Sequence, residues 1–191
     1  LEAEKMVSER EGYSITIIKG DMSKTLPFED ESFDLTLLFG PMYHLFTKED
    51  KIRALSEAKR VTAPGGIIMV AYCMNEATMV QYVFKAGNIW DCINNHMLTD
   101  DFVCISEEKD LFELVRLEDI DELNAQFSNI ERDRIVATDG ATNYMRECID
   151  AMDEATFDMW MKYHFTICER QDLIGATHHS LDILKKERYN S

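Results

Sequence analysis

The stretch that decides the fold is Ser32-Phe33-Asp34-Leu35-Thr36-Leu37-Leu38-Phe39-Gly40-Pro41-Met42-Tyr43-His44-Leu45. Its Leu-Thr-Leu-Leu-Phe run is β-prone and ends at a glycine followed by a proline, so residues 33–39 read as a strand that stops there. The near-continuous apolar character predicts a strand buried on both faces, as in a parallel sheet flanked by helices. Upstream, Ile15-Thr16-Ile17-Ile18-Lys19-Gly20-Asp21-Met22 has the same design of β-branched residues, a glycine, then polar or flexible side chains. In an open α/β sheet, ligands bind just beyond the carboxyl ends of such strands. Asp21, Met22 and residues 40–45 therefore mark a candidate small-molecule site.

Working outward, Thr47-Lys48-Glu49-Asp50 has the form of a capping box, with Thr47 as N-cap and Asp50 reaching back to it. Ile52, Leu55 and Ala58 give the helix that follows an apolar face. Pro64-Gly65-Gly66 should end it in a sharp reversal, with residues 67–73 as a third buried strand. Strand, helix, turn, strand is the right-handed crossover of a parallel sheet. Residues 1–11 read as a charged helix capped by Gly12, and residues 14–18 as the first strand.

Past residue 74 the chain becomes helical and rich in Met79, Tyr82, Val83, Phe84, Trp90, Met97 and Phe102. No Pro/Gly-rich linker separates this region. Residues 75–113 are therefore expected to be a helical cap inserted within a single domain spanning 1–191. Its aromatics suit a substrate lid or ordinary amphipathic packing equally well. Strands at 112–117 and 130–137, helices at 119–127, 142–152 and 153–171, and a last strand at 178–185 complete the reading. The stripe Phe157, Trp160, Met161, His164, Phe165, Cys168 is expected to be a core-facing helix surface rather than a metal site.

With 191 residues and 46% hydrophobic content the chain can bury one sizeable core. A net charge of −16 disfavours a nucleic-acid partner, because phosphate backbones are repelled. The longest apolar run, residues 67–74, is too short to span a bilayer. Five scattered cysteines without a Cys-x-x-Cys spacing suit a reducing cytoplasm.

These residues carry a family resemblance. Gly20-Asp21-Met22, Leu26-Pro27-Phe28, Ser32-Phe33-Asp34-Leu35, Gly40-Pro41-Met42-Tyr43-His44-Leu45 and Arg60-Val61-Thr62-Ala63-Pro64-Gly65-Gly66 resemble the middle and later motifs of class I S-adenosylmethionine-dependent methyltransferases. The similarity is to the small-molecule type related to quinone-biosynthesis enzymes. The resemblance implies a Rossmann-like α/β sheet, mostly parallel with an antiparallel C-terminal strand, helices on both faces and a helical cap. It implies S-adenosyl-L-methionine as cofactor and S-adenosyl-L-homocysteine as product. Asp21 matches the position that receives the adenine amino group, and Met22 its neighbour against the ring. Phe39 and Gly40 match the strand end beside the cofactor's methionine portion. Tyr43 and His44 match the loop facing the methyl-transfer centre, where His44 is the candidate base and Tyr43 a pocket wall. Histidine as a residue type titrates near neutrality, which suits that work.

The family's glycine-rich first motif and its ribose-binding acid would precede Ile15, and neither is found there. The family sheet order resembles 3-2-1-4-5-7-6, so the first two strands are expected to be missing from an N-terminally incomplete sequence. Alternatively, an exposed strand edge pairs with a second copy, giving a homodimer. A non-catalytic methyltransferase-like binding or scaffold protein also fits these motifs. A nucleotide-dependent oxidoreductase fits them less well, because no Gly-x-Gly-x-x-Gly is present.

Overall fold

The computed structural model describes residues 24–188 together with Arg10, Gly12, Thr16, Ile18, Gly20 and Asp21. Most of the helix expected at 1–11, in which Arg10 is helical, and most of the strand expected at 14–18 lie outside the described residues. Thr16 and Ile18 themselves are not in a strand.

Strand β1 is Phe33–Leu38, and a 3-10 turn, Pro41–His44, leads from it to helix α1, Lys48–Val61. Thr47 is the N-cap as expected, its Oγ1 accepting from the Asp50 backbone N–H at 3.1 Å, but the Asp50 carboxylate reaches back to the Thr47 hydroxyl, which donates to it at 2.7 Å, rather than to the Thr47 backbone N–H, so the reciprocal box is not completed. Strand β2 is Thr62–Cys73, so it begins five residues earlier than the glycines suggested. Pro64-Gly65-Gly66 is not a separate reversal. It lies inside the strand, where the β1 register shifts between Phe33 and Leu35. Gly66 has a reason to be there: an added Cβ would stand 2.8 Å from the carbonyl oxygens of both Ala63 and Asp34.

A short helix α2, Asn75–Thr78, continues as a π-helical turn, Met79–Phe84, and is followed by α3, Ile89–Asn94. Then come α4, Leu117–Asn124; β3, Ile130–Ala137; α5, Arg146–Asp150; α6, Glu154–Ile167; α7, Gln171–Ile174; and β4, His179–Lys186. The strand expected at 112–117 is reduced to one parallel bridge between Met74 and Val115.

The sheet order is β1-β2-β4-β3, with β1 parallel to β2 and β4 antiparallel to both neighbours. Three strands thus run one way and the C-terminal strand runs back, which is the 4-5-7-6 portion of the expected sheet. Alternation along β2 sends Ile68, Val70 and Tyr72 into a core with Ala54, Leu55 and Ala58 of α1 and Ile120 and Leu123 of α4. Each of the Val, Leu and Ile side chains among them contributes roughly 1.5–3 kcal/mol by leaving water. The same face buries Asp182, whose carboxylate is satisfied by Arg132 at 2.6 and 3.1 Å and by Asn124 at 2.7 Å.

Two expectations about burial are corrected. Leu35 and Leu37 of β1 are about half exposed, at 49% and 50%, because β1 is the outer strand of the described sheet and α1 covers only its other face. On α6, His164 and Cys168 are buried, whereas Phe157 and Phe165 face outward. Helical spacing put them on one stripe, but only the turn facing β3 meets packing partners.

Candidate functional site

The carboxyl ends of β1, β2 and β3 and the start of β4 lie along one end of the sheet, as the pairing directions require. Beyond β1 the chain turns at Gly40, whose φ of 137° is rarely open to L side chains. Met42 is buried and anchors the turn, leaving Tyr43 half-buried and His44 exposed. Both rings pack on Phe112. Tyr43 and His44 have centroids 5.0 Å apart, and each lies 5.5 Å from the Phe112 ring.

Phe112 is held in place by its neighbour. The Glu113 backbone N–H donates to the Tyr43 carbonyl at 2.9 Å, and the Glu113 carboxylate forms an ion pair with the buried Lys51 of α1. Burial raises the Glu113 carboxyl above its ordinary value, against the pull of Lys51.

Past β2, the buried Asn75 organises the cap. Its side-chain amide donates to the Phe102 carbonyl at 3.0 Å and its side-chain oxygen accepts from the Cys104 N–H at 2.8 Å. Glu76 and Arg116 add an ion pair at 2.6 Å. Beneath this segment is a largely apolar cavity of about 270 Å³, with Tyr82, Val83, Met97, Ile105, Phe112 and Leu114 in its wall. Phe112 therefore belongs both to this cavity and to the Tyr43–His44 cluster.

A second constellation sits where β3 ends and β4 begins. Asp139 Oδ2 lies 3.0 Å from His179 Nδ1 and accepts from the Asn143 amide at 2.9 Å. Its Oδ1 accepts from the backbone N–H groups of His178 and His179 at 3.0 and 3.2 Å, and from the Thr177 hydroxyl. His179 is drawn up to about 10, chiefly by the Asp139 hydrogen bond and further by the Cys73 thiol across the β2–β4 pairing. Burial alone would raise the Asp139 carboxyl, but the bonds from His179 and Thr177 outweigh it and hold it low. Beside the pair, His178 is 8% exposed and neither ring nitrogen has a hydrogen-bond partner among the described residues. Its ring lies between Tyr144 and Tyr82, at centroid distances of 5.1 and 6.1 Å.

Of the residues singled out from sequence, Tyr43, His44, Phe39 and Gly40 share the β1 end. Asp21 makes its described contacts within its own loop, including an ion pair with Lys24 at 3.1 Å. That loop is tethered to α1, because Arg60 donates to the carbonyls of Leu26 and Phe28 and Glu57 accepts from the Leu26 N–H at 2.6 Å. Met22 lies outside the described residues. Sequence reasoning passed over Asp139, His179, Lys51 and Glu113, which are scattered along the chain. The available signals were Asp139-Gly140 after a strand and the His178-His179 pair at the start of one. Among the described residues no group of His, Cys, Asp and Glu is arranged to hold a metal ion, and no helix is long and apolar enough to cross a membrane.

Residues 1–70 match a family model described as a methyltransferase domain. Over 45 residues the chain is 49% identical to probable tRNA methyltransferase 9B of Mus musculus and 47% identical to the Homo sapiens protein of that name, a match covering 24% of this chain and 10% of either relative. The chain thus matches about a tenth of the length of these curated relatives. Among solved structures, a putative sarcosine dimethylglycine methyltransferase from Galdieria sulphuraria superposes with a TM-score of 0.51 at 15% identity, over 97% of this chain and 65% of that one. Protein PH0226 from Pyrococcus horikoshii gives 0.51 at 11% identity, over 97% and 66%. The cyclase SpnF gives 0.52 at 15% identity, over 96% and 61%. At these identities the likeness establishes architecture, and one architecture hosts several chemistries.

Proposed function

We propose that this chain, which carries the class I methyltransferase fold, binds S-adenosyl-L-methionine at the carboxyl ends of its strands and directs methyl transfer to a small, partly apolar acceptor. The observation that carries this reading is the Tyr43–His44–Phe112 cluster, which joins the β1 end to the cavity under the cap. When bound, the cofactor supplies a sulfonium methyl whose carbon–sulfur bond breaks as the acceptor's lone pair forms the new bond, leaving S-adenosyl-L-homocysteine.

The residues at the β1 end fit such a group. At Gly40 an added Cβ would meet, among the described residues, nothing nearer than the Tyr43 hydroxyl at 3.9 Å, so backbone is open to close approach there. Phe39, 55% exposed, offers an apolar wall beside it. Asp21 receives the adenine amino group, with Met22 beside the ring. Tyr43 walls the acceptor side, and His44 takes the proton of an acceptor that enters protonated. Holding donor and acceptor in line supplies much of the acceleration, since no enzyme nucleophile is needed.

The printed names of the 45-residue relatives raise tRNA as an acceptor. A net charge of −16 argues for a small molecule instead. Five free thiols agree with a reducing, cytoplasmic setting. A homodimer also belongs to this reading, supported by the half-exposed apolar side chains of Leu35 and Leu37 on the open face of β1. Calorimetry tests the central claim. S-adenosylhomocysteine should bind the folded protein, and Asp21→Ala should weaken it at least tenfold. Absence of binding by the folded chain would overturn the reading, and an unchanged Asp21→Ala affinity would overturn the adenine assignment.

A further inference from the structure

We infer that the Asp139–His179 pair, with the unpaired His178 beside it, is a binding site for an anionic oxygen group, a carboxylate above all, on the methyl acceptor. The inference rests on the methyl-transfer reading for the identity of its ligand, though not for the existence of the site.

Asp139 is held by hydrogen bonds from Asn143, Thr177, His179 Nδ1 and two backbone N–H groups, and so has little capacity left for a ligand. Its role is to orient. It fixes the His179 ring by Nδ1, while the side chain as a whole stays 51% exposed at the same end of the sheet as Gly40 and Cys73. A histidine bonded to a carboxylate at 3.0 Å and half in solvent is a preorganised cationic donor.

His178 is the independent observation. A neutral imidazole always has one N–H to give and one nitrogen to receive, and buried polar groups without partners call for an explanation. Both His178 nitrogens are without one. Burial pushes this ring below its ordinary value, so the two adjacent histidines differ: one cationic and held, one neutral and unsatisfied. Tyr82, whose ring meets His178 edge-on, belongs to the π-helical turn of the cap and is 60% exposed. π-Helical turns cluster at functional positions. Displacing the Tyr82 ring uncovers His178 toward the cap cavity, whose wall Tyr82 also forms. A carboxylate there accepts from His179 and from the His178 N–H, and its apolar remainder lies among Tyr82, Tyr144 and the cap side chains.

The probes are benzoate and its neutral isostere benzamide, titrated into the ¹⁵N-labelled full chain at pH 7.5 with S-adenosylhomocysteine present and absent, following the histidine ring resonances. Benzoate should shift the His178 and His179 signals and bind at least tenfold more tightly than benzamide. His179→Gln should remove that preference, and His179→Arg, which keeps the charge, should restore part of it. Retained spectral dispersion shows that each variant is folded, and Asn143→Ala, which loosens Asp139 without touching the ring, should weaken benzoate by a smaller factor. Equal affinity for the two probes, or unchanged benzoate affinity in folded His179→Gln, overturns the inference. Loss of S-adenosylhomocysteine binding with benzoate selectivity intact overturns the methyl-transfer reading while the anion site stands.

Discussion

Lys51 and Glu113, 62 residues apart in sequence, form an ion pair that fastens the Phe112 segment to helix α1, with side chains only 11% and 20% exposed. Through it the Phe112 ring and the loop carrying His44 share one anchor. Removing one partner leaves the other charge buried. Lys51→Met or Glu113→Gln should each cost roughly 3 kcal/mol in urea unfolding, and Lys51→Met combined with Glu113→Leu should recover most of it. A loss in Lys51→Met/Glu113→Leu equal to the sum of the losses in Lys51→Met and Glu113→Leu alone would show that the pair is not coupled.

His179 should titrate at about 10, and Asp139→Asn should return its midpoint toward 6.5, both read from the ring resonances. The groups facing His179 are Asp139 after β3, Cys73 at the end of β2 and His178 beside it. The folded state holds the His179 proton more tightly than the unfolded state does. Its contribution to stability is therefore complete below about 6.5, diminishes above that, and is gone past about 10. Asp139, held low, contributes above the unfolded carboxylate value and loses that contribution as pH falls through its folded one. Urea stability of Asp139→Asn should vary less steeply than wild type between neutrality and pH 10.

Gly66→Ala should destabilise by roughly 1–3 kcal/mol, because its Cβ would meet two backbone oxygens at 2.8 Å, one of them on the neighbouring strand. Neither oxygen can swing aside as a side chain would. Gly175→Ala is the control: it has no atom within 4 Å of the added Cβ and should change the unfolding midpoint little.

His44→Gln should lower kcat by about a hundredfold or more toward an acceptor that enters protonated, measured as S-adenosylhomocysteine release. Tyr43→Phe should stay within severalfold of wild type, since the ring and its contact with Phe112 remain. A His44→Gln enzyme as fast as wild type would remove His44 from proton transfer and leave it a pocket wall.

Much of this was legible locally. The Thr47 cap, helix α1, strands β3 and β4 and the bend at Gly40 follow from side-chain chemistry and spacing within a few residues, and local sequence determines such features. The family motifs between Gly20 and Gly66 marked the β1 end as the candidate site for the same reason, as contiguous residues around one strand end. Their order along the chain also foretold the order of the strands.

What the sequence by itself could not settle was set by pairing across the sheet. Whether Phe33, Leu35 and Leu37 are buried depends on what lies beside β1, and no periodicity records that. The Pro64-Gly65-Gly66 segment reads as a turn until its register against Asp34 makes it strand. Asp139, Cys73 and His179 come from three separate places in the chain and meet because β4 runs antiparallel between β2 and β3. Sequence fixes which residues form a strand, while the strand's neighbours fix which side chains face one another. The residues at 40–45 were therefore visible from the start, and the histidines at the far side of the same sheet end became visible only in three dimensions.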